Sequence, residues 1–134
     1  ISGESNLIAN LSNVAAAIQS TFGFLWVGFY LKDSEQELVL GPFQGPIACT
    51  RIRIGKGVCG TCWQDEQPIL VDDVDQFPGH ISCSSASRSE VVIPIFNGKE
   101  VIGILDIDSA HLADFSKVDV NGLEKICKLI SDTL

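Results

Sequence analysis

The stretch SEVVIPIFNGKEVIGILDIDS, residues 89–109, decides the fold. Two runs rich in β-branched residues, Val91–Phe96 and Val101–Ile107, flank the dipeptide Asn97-Gly98, which is the strongest short signal for a hairpin turn. The stretch therefore predicts an antiparallel hairpin.

The second strand of this hairpin changes character along its length. Because side chains alternate across a strand, every second residue shares a face. One face reads Ile102, Ile104, Asp106 and Asp108, and the other reads Val101, Gly103, Leu105 and Ile107. An apolar strand that turns acidic at one end puts carboxylates at the rim or floor of a cavity, where they meet a cation or one stays protonated. Glu90, which opens the preceding strand, is placed to join them; a solvated strand end is the alternative.

The rest of the chain predicts two terminal helices and further strands. Apolar residues at helical spacing predict a helix over Glu4–Thr21 that ends at Gly23, and Ser116 is a good N-cap for a second helix. The other predicted elements are strands at Phe24–Lys32, Glu37–Leu40, Arg51–Ile54 and Pro68–Val71, a short helix at Val58–Asp65, and loops at Gly41–Pro46 and Asp72–Ser89.

This order of elements predicts an α+β fold in a single domain over residues 1–134. We expect a central antiparallel sheet with the N- and C-terminal helices on one face and a cysteine-bearing lid loop on the other. The terminal helices would pack together or across a homodimer interface.

The strand at Phe24–Lys32 is apolar on both faces, which indicates that both are covered. One face carries the amphipathic aromatics Trp26 and Tyr30 with Gly28 between them. This face either lines a pocket, with the glycine supplying room, or packs against a helix; the pattern leaves both open.

Three cysteines, Cys49, Cys59 and Cys83, lie in surroundings rich in glycine or serine. Thiols in loops oxidise and cross-link, so sulfur chemistry is their most economical explanation, with one cysteine as nucleophile and another to resolve it. Cys127 falls on the apolar stripe of the last helix and is expected to be a buried structural thiol. Five cysteines in a chain that needs no disulfides favour reduced thiols and a cytoplasmic location.

The cysteine spacing also allows a metal site. Cys59 and Cys62, followed by His80 and Cys83, give the ligand pattern of a tetrahedral zinc set. A metal-held fold normally compensates for a weak core, and the apolar content here predicts a sufficient one, so we expect no metal.

Composition excludes some partners. The 134 residues carry 17 acidic and 9 basic side chains, a formal net charge of −8. That charge would be repelled by nucleic acid or an anionic membrane surface, and no apolar run approaches the roughly 20 residues of a membrane span. We therefore expect neither nucleic acid nor membrane as a partner. The chain starts at Ile1 without a methionine, so we expect the native start to lie upstream.

Six motifs together resemble the free methionine-(R)-sulfoxide reductases, which are built on a GAF domain. The motifs are Gly41-Pro-Phe-Gln-Gly45, Ile47-Ala-Cys49, Gly57-Val-Cys-Gly-Thr61, Gly79-His-Ile-Ser-Cys83, Ser89-Glu-Val-Val-Ile-Pro94 and Gly103-Ile-Leu-Asp-Ile-Asp-Ser109. The resemblance covers nearly the whole chain. Its three cysteine motifs are specific, since generic GAF domains share the fold without them.

The resemblance implies thiol-dependent reduction of the R sulfoxide of free methionine, with no bound cofactor and with thioredoxin as the external reductant. Cys83 matches the nucleophile of the family, Cys49 its resolving partner and Cys59 a third thiol able to exchange disulfides. The residues expected to bind the substrate or supply a proton are Trp26, Tyr30, Ile81, Ser82, Glu90, Asp106 and Asp108. Cys62 is not part of the family's three-cysteine set.

Two other functions are kept as alternatives. A GAF-type module that senses a small ligand or a redox state would have the same fold without turnover. A zinc-stabilised interaction domain would carry stoichiometric metal.

Overall fold

The computed structural model describes residues 3–80 and 85–134, which fold around an antiparallel sheet. In chain order the elements are α1 Leu7–Phe22, β1 Trp26–Lys32, β2 Glu37–Gln44, β3 Arg51–Arg53, α2 Gly57–Asp65, β4 Ile69–Val71, a 3₁₀ turn Val74–Gln76, β5 Ser89–Asn97, β6 Glu100–Ser109 and α3 Lys117–Ser131. The strand order is β3-β2-β1-β6-β5-β4, so the predicted hairpin of β5 and β6 lies inside the sheet. This architecture confirms the predicted α+β class.

The hairpin turn lies one residue later than predicted. Asn97 pairs with Glu100, so the two turn residues are Gly98 and Lys99. Gly98 takes a φ of +64°, the left-handed conformation that tight hairpin turns need and that glycine adopts without strain.

A register irregularity near this turn places the side chains of Val101 and Ile102 on the sheet faces opposite to those predicted. The pairing shifts between Ile95 and Phe96. Val101 joins the apolar cluster on the aspartate side of the sheet, and Ile102 packs against the cluster under the terminal helices. The prediction that Ile102 shares a face with Asp106 is therefore wrong, because a bulge changes the phase of alternation at that point.

The terminal helices cover one face of the sheet, as predicted. Helix α1 begins after Asn6, whose side chain accepts a hydrogen bond from the Ala9 amide, and it ends at Gly23 with φ +67°. Helix α3 begins with a capping box between Ser116 and Asp119. The predicted start of α1 at Glu4 was too early because the cap lies at Asn6. None of the helices in the two described ranges is long and apolar enough to cross a bilayer.

Helix α2 lies on the opposite face of the sheet from the terminal helices. Its Val58 and Trp63 pack with Leu38 of β2 and Val92 of β5. Gly60 lets the helix approach the sheet, since a Cβ there would lie 2.4 Å from the carbonyl oxygen of Arg53. This helix carries Cys59 toward the same face as the hairpin aspartates.

Strand β2 is longer than predicted and continues through Gly41 and Pro42. The pairing with β1 shifts between Gly28 and Tyr30, so that two residues of β2 stand opposite Phe29. A bulge of this kind tolerates proline, which cannot donate to a regular ladder. The predicted loop at Gly41–Pro46 is therefore largely strand.

Candidate active site

The three predicted carboxyl groups lie together on one face of the hairpin. Glu90 of β5 stands directly opposite Asp108 of β6, and Asp106 is two residues along the same strand. The exposed fractions of Glu90 and Asp106 are both 5%, and Asp108 is half-buried. The alternation of β6 predicted this grouping, and the structure brings the three residues together.

Burial raises the pKa of all three carboxyl groups. Burial first, and then the charge of Asp108, raises the pKa of Glu90 to about 8. Burial also raises the pKa of Asp106 and Asp108 well above the ordinary value, with further contributions from Glu90 to the first and from Asp106 to the second. Like charges packed together disfavour ionisation. At neutral pH the cluster therefore contains a carboxylic acid that can donate a proton.

Cys59 and His80 border the carboxyl cluster. The Cys59 thiol donates toward Oε2 of Glu90 at 3.9 Å, and Nε2 of His80 lies 3.7 Å from Oε1 of the same residue. Burial, and then the charge of Asp106, raises the pKa of Cys59 well above its ordinary value. Cys59 is thus a neutral thiol, which is a poor nucleophile.

An aromatic wall, formed by Trp26, Tyr30 and Phe43, borders the cluster on the neighbouring strands. The Trp26 ring stacks with each of the other two, with centroids 5.9 Å from Tyr30 and 5.2 Å from Phe43. The gap predicted at Gly28 is filled by these rings, because a Cβ there would lie 2.5 Å from the Trp26 ring and 2.4 Å from Phe43 Cβ. Phe43 was missed because the sequence indicated a loop at its position.

Hydrogen bonds from two side chains of the aromatic wall anchor the segment that contains Cys49. The Tyr30 hydroxyl donates to the Cys49 carbonyl oxygen at 2.9 Å, and Trp26 Nε1 donates to the Pro46 carbonyl oxygen at 3.1 Å. Burial, followed by the charge of Asp106, raises the pKa of Tyr30, so its phenol remains a neutral donor. Cys49 is disulfide-bonded, whereas the other described cysteines, Cys59, Cys62 and Cys127, are free thiols.

These groups surround one cavity of about 70 Å³. A single water needs roughly 10–15 Å³ by the same measure, so the cavity has room for several waters or part of a small ligand. Its lining includes the three carboxyl residues, Trp26, Tyr30, Cys49, Cys59, His80 and Ser87. The predicted site residues Ile81, Ser82 and Cys83 lie outside the described residues, between His80 and Ser87 in the chain.

The zinc pattern that the sequence allowed includes Cys83, which lies outside the described residues, so only its other members can be placed. Cys59, Glu90 and Asp106 are buried, and their ligand atoms lie within 4.8 Å of one another. Within residues 3–80 and 85–134, that group includes neither Cys62 nor His80. Cys62 is fully buried in the cavity-side apolar cluster, and Cys127 is buried under the terminal helices, as predicted.

Comparison with known proteins identifies close relatives. Residues 5–134 match the model of the GAF domain family. The chain is 57% identical over 132 residues to GAF domain-containing protein A of Dictyostelium discoideum, covering 98% of this chain and 84% of that protein. It is 42% identical over 135 residues to the free methionine-R-sulfoxide reductase of Escherichia coli, covering 100% of this chain and 81% of that protein.

A solved structure agrees closely with this fold. The X-ray structure of free methionine-R-sulfoxide reductase from Neisseria meningitidis in complex with its substrate aligns with a TM-score of 0.96 at 50% identity, covering 98% of this chain and 79% of that one. The solved structure contains a substrate, and the alignment covers 98% of this chain.

Proposed function

This chain belongs to the free methionine-R-sulfoxide reductase family of GAF domain proteins, and we propose that it is an oxidoreductase that reduces free methionine R-sulfoxide to methionine. The observation that carries the proposal is one cavity in which buried carboxyl groups, an aromatic wall and Cys49 converge. The 50% identity to an enzyme solved with its substrate supports the same assignment.

The cavity suits a free amino acid. Glu90, Asp106 and Asp108 would meet the substrate ammonium group with carboxylate oxygens, while one of them stays protonated. Trp26, beside Tyr30, presents a flat apolar face to the S-methyl group, a favourable sulfur–aromatic contact. Ile81 and Ser82 complete the proposed substrate contacts. A cavity of this size would exclude methionine sulfoxide within a folded protein.

In the proposed reaction the Cys83 thiolate attacks the sulfoxide sulfur. The oxygen leaves only when it is protonated, and a neutral carboxyl of the cluster, such as Glu90 with its raised pKa, supplies that proton. Loss of that oxygen as water leaves an adduct in which the Cys83 sulfur is bonded to a sulfonium. A water molecule then attacks the Cys83 sulfur and breaks the sulfur–sulfur bond, which releases methionine as the thioether and leaves Cys83 as a sulfenic acid. The Cys49 thiol then condenses with it to form a disulfide and release water.

The remaining thiols and the reductant follow from this scheme. The disulfide-bonded state of Cys49 and the free state of Cys59 support Cys49 as the resolving residue, with Cys83 as its proposed partner. Cys59 is the proposed third thiol for disulfide exchange, and its buried neutral state slows its attack on a disulfide. We propose thioredoxin as external reductant, a cytoplasmic location, a homodimer, and residues 1–134 as a single GAF domain.

A coupled assay tests the function. Purified protein, thioredoxin, thioredoxin reductase and NADPH are mixed with the R or the S epimer of free methionine sulfoxide, or with a peptide containing methionine sulfoxide. We expect NADPH consumption with the free R epimer, and its loss in Cys83→Ser. The matched control is Cys127→Ser, which alters a buried thiol on the other face of the sheet and should retain turnover.

Two results would contradict the proposal. Undiminished turnover in Cys83→Ser would remove the proposed nucleophile. Binding of methionine sulfoxide without any turnover, in protein whose thiols are shown to be reduced, would indicate a ligand-sensing GAF module instead.

A further inference from the structure

The cavity contains a set of ligand atoms that the proposed reaction does not explain fully. Sγ of Cys59 and carboxylate oxygens of Glu90 and Asp106 lie within 4.8 Å of one another. All three side chains are buried, with exposed fractions of 5% each. Disulfide exchange by Cys59 does not require its thiol to lie buried against the carboxyl cluster.

Asp106 supplies an independent observation. Its Oδ1 atom is buried without a hydrogen-bond partner among the residues that the structure describes. A buried carboxylate oxygen without a partner costs about 1–3 kcal/mol or more, so it favours any species that supplies positive charge there. Asp106 lines the cavity, so that species can enter from the cavity.

The spacing of these atoms fits a small, thiophilic divalent cation. Tetrahedral zinc binds sulfur at about 2.3 Å and carboxylate oxygen at about 2.1 Å, which separates the two ligand atoms by roughly 3.6 Å. The Cys59 Sγ to Glu90 Oε2 distance is 3.9 Å. His80 Nε2 lies 3.7 Å from the other oxygen of Glu90. It is not among the atoms within 4.8 Å of one another, so His80 borders the site and is not counted as a ligand. One thiolate with two carboxylates forms a donor set suited to Zn²⁺ rather than Mg²⁺ or Ca²⁺, because the soft sulfur ligand is one that the latter two ions avoid.

We propose that Cys59, Glu90 and Asp106, with His80 beside them, form an inhibitory binding site for Zn²⁺ in the cavity. The ion occupies the space between the thiol and the carboxyl groups and displaces their protons. It thereby takes the carboxylate oxygens that the substrate ammonium group would use. The inhibition rests on the proposed function, but the metal site itself does not. The site differs from the pattern visible in the sequence, because carboxylates take the places of Cys62 and Cys83.

A competition titration against a chromophoric chelator tests the site directly. The reduced protein should bind one Zn²⁺ per chain, in the wild type and in a Cys49→Ser/Cys83→Ser variant that lacks the proposed redox pair. In that background, Cys59→Ser and Asp106→Asn should each weaken binding at least tenfold. The matched controls Cys62→Ser and Cys127→Ser should leave the affinity unchanged.

Binding of Co²⁺ in place of Zn²⁺ distinguishes loss of the thiolate ligand from misfolding of a variant. Co²⁺ should give a thiolate charge-transfer band that disappears in Cys59→Ser and persists in Cys62→Ser, with circular dichroism confirming the fold of each. Equal Zn²⁺ affinity in Cys59→Ser and its parent, or a loss in Cys62→Ser as large as in Cys59→Ser, would overturn the proposal.

Kinetics separate this proposal from the proposed function. Zn²⁺ should raise the KM for methionine sulfoxide while kcat stays constant. Turnover that proceeds unaffected at Zn²⁺ concentrations well above its measured Kd would overturn the inhibitory role alone. Zinc binding in a protein that never reduces methionine sulfoxide would overturn the proposed function and leave the metal site standing.

Discussion

The two faces of the sheet differ although the same strands build both. On the helix side, Leu105 and Ile107 of β6 are 0% and 1% exposed in an apolar core. On the cavity side, the alternate residues Asp106 and Asp108 face a thiol, an imidazole and an aromatic wall. Full burial of a large apolar side chain stabilises by about 1.5–3 kcal/mol, and an unpartnered buried polar atom costs about 1–3 kcal/mol. Burial of apolar side chains on the helix side of the sheet therefore offsets the free-energy cost of burying the carboxyl cluster on the cavity side.

The largest expected effect comes from moving a carboxyl group to the wrong face. Leu105→Asp puts a charge among the apolar residues under the terminal helices, where it must be neutralised or solvated. We expect a loss of more than about 4 kcal/mol, enough to unfold a domain of ordinary stability. Urea denaturation followed by circular dichroism measures it.

Leu105→Asn is the matched control, because asparagine has nearly the same shape as aspartate but carries no charge. It should destabilise the protein less than Leu105→Asp at pH 8, and the two variants should converge as the aspartate is protonated at low pH. A Leu105→Asp protein as stable as the wild type at pH 8 would contradict the difference between the faces.

The next effect concerns the aromatic wall. Gly28→Ala forces a Cβ to within 2.4 Å of Phe43 Cβ and 2.5 Å of the Trp26 ring, so the wall must shift. We expect a loss of about 1–3 kcal/mol in the free energy of unfolding and a higher KM for methionine sulfoxide. Gly122→Ala is the control, because a Cβ there meets nothing within 4 Å and helix propensity favours alanine. Equal stability of the two variants would contradict this account.

A smaller effect concerns the pH dependence of stability. Glu90 has a pKa of about 8 in the folded protein, against 4.5 ordinarily. Between those values the folded state holds more protons than the unfolded state, so its stability falls as pH rises through this window. Glu90→Gln should flatten the fall of Tm between pH 5 and pH 8, whereas Glu124→Gln on the exposed face of α3 should leave it unchanged. Identical slopes in wild type and Glu90→Gln would exclude a raised pKa at Glu90.

The smallest effect concerns the segment that carries Cys49. Tyr30→Phe removes the hydroxyl that donates to the Cys49 carbonyl oxygen, a bond worth about 0.5–1.5 kcal/mol. We expect disulfide formation after one turnover to slow by a few-fold, as measured by rapid quench and thiol counting. Trp26→Phe removes the hydrogen bond to Pro46 and leaves the hydrogen bond to Cys49 in place. Comparison of the two variants therefore separates the effect of anchoring Cys49 from the effect of anchoring the segment before it. Unchanged disulfide formation in Tyr30→Phe would show that the bond does not position Cys49.

Much of the cavity side could be predicted, because it depends on regular alternation. The two aspartates of β6 follow the two-residue period of a strand, and Glu90 follows from the hairpin. The bulges could not be predicted. Pro42 indicates a loop in the sequence, whereas the structure includes it in β2 by a register shift, and Phe43 therefore went unnoticed. The exchange of Val101 and Ile102 has the same cause.

Helix α2 shows a second limit of sequence reasoning. Its position in the chain was predicted from local pattern, but which face it covers depends on contacts with distant strands. The close approach at Gly60 places α2 against the backbone of Arg53 in β3, and the periodicity within the helix contains no information about that contact. The proposed roles of Cys83, Ile81 and Ser82 remain predictions, since these residues lie outside the described ranges.

The stacking of Trp26 has a practical consequence. The chain has two tryptophans, and the other, Trp63, is buried in α2. In a Trp63→Phe variant, the indole of Trp26 would be the one remaining tryptophan fluorophore, and it lies at the cavity wall. Its Nε1 donates a hydrogen bond to the carbonyl oxygen of Pro46, in the segment that leads to Cys49. Release of that segment or entry of a ligand would change the emission wavelength and quantum yield of Trp26. Stopped-flow fluorescence could therefore measure the rate of ligand entry or of segment movement without an added label.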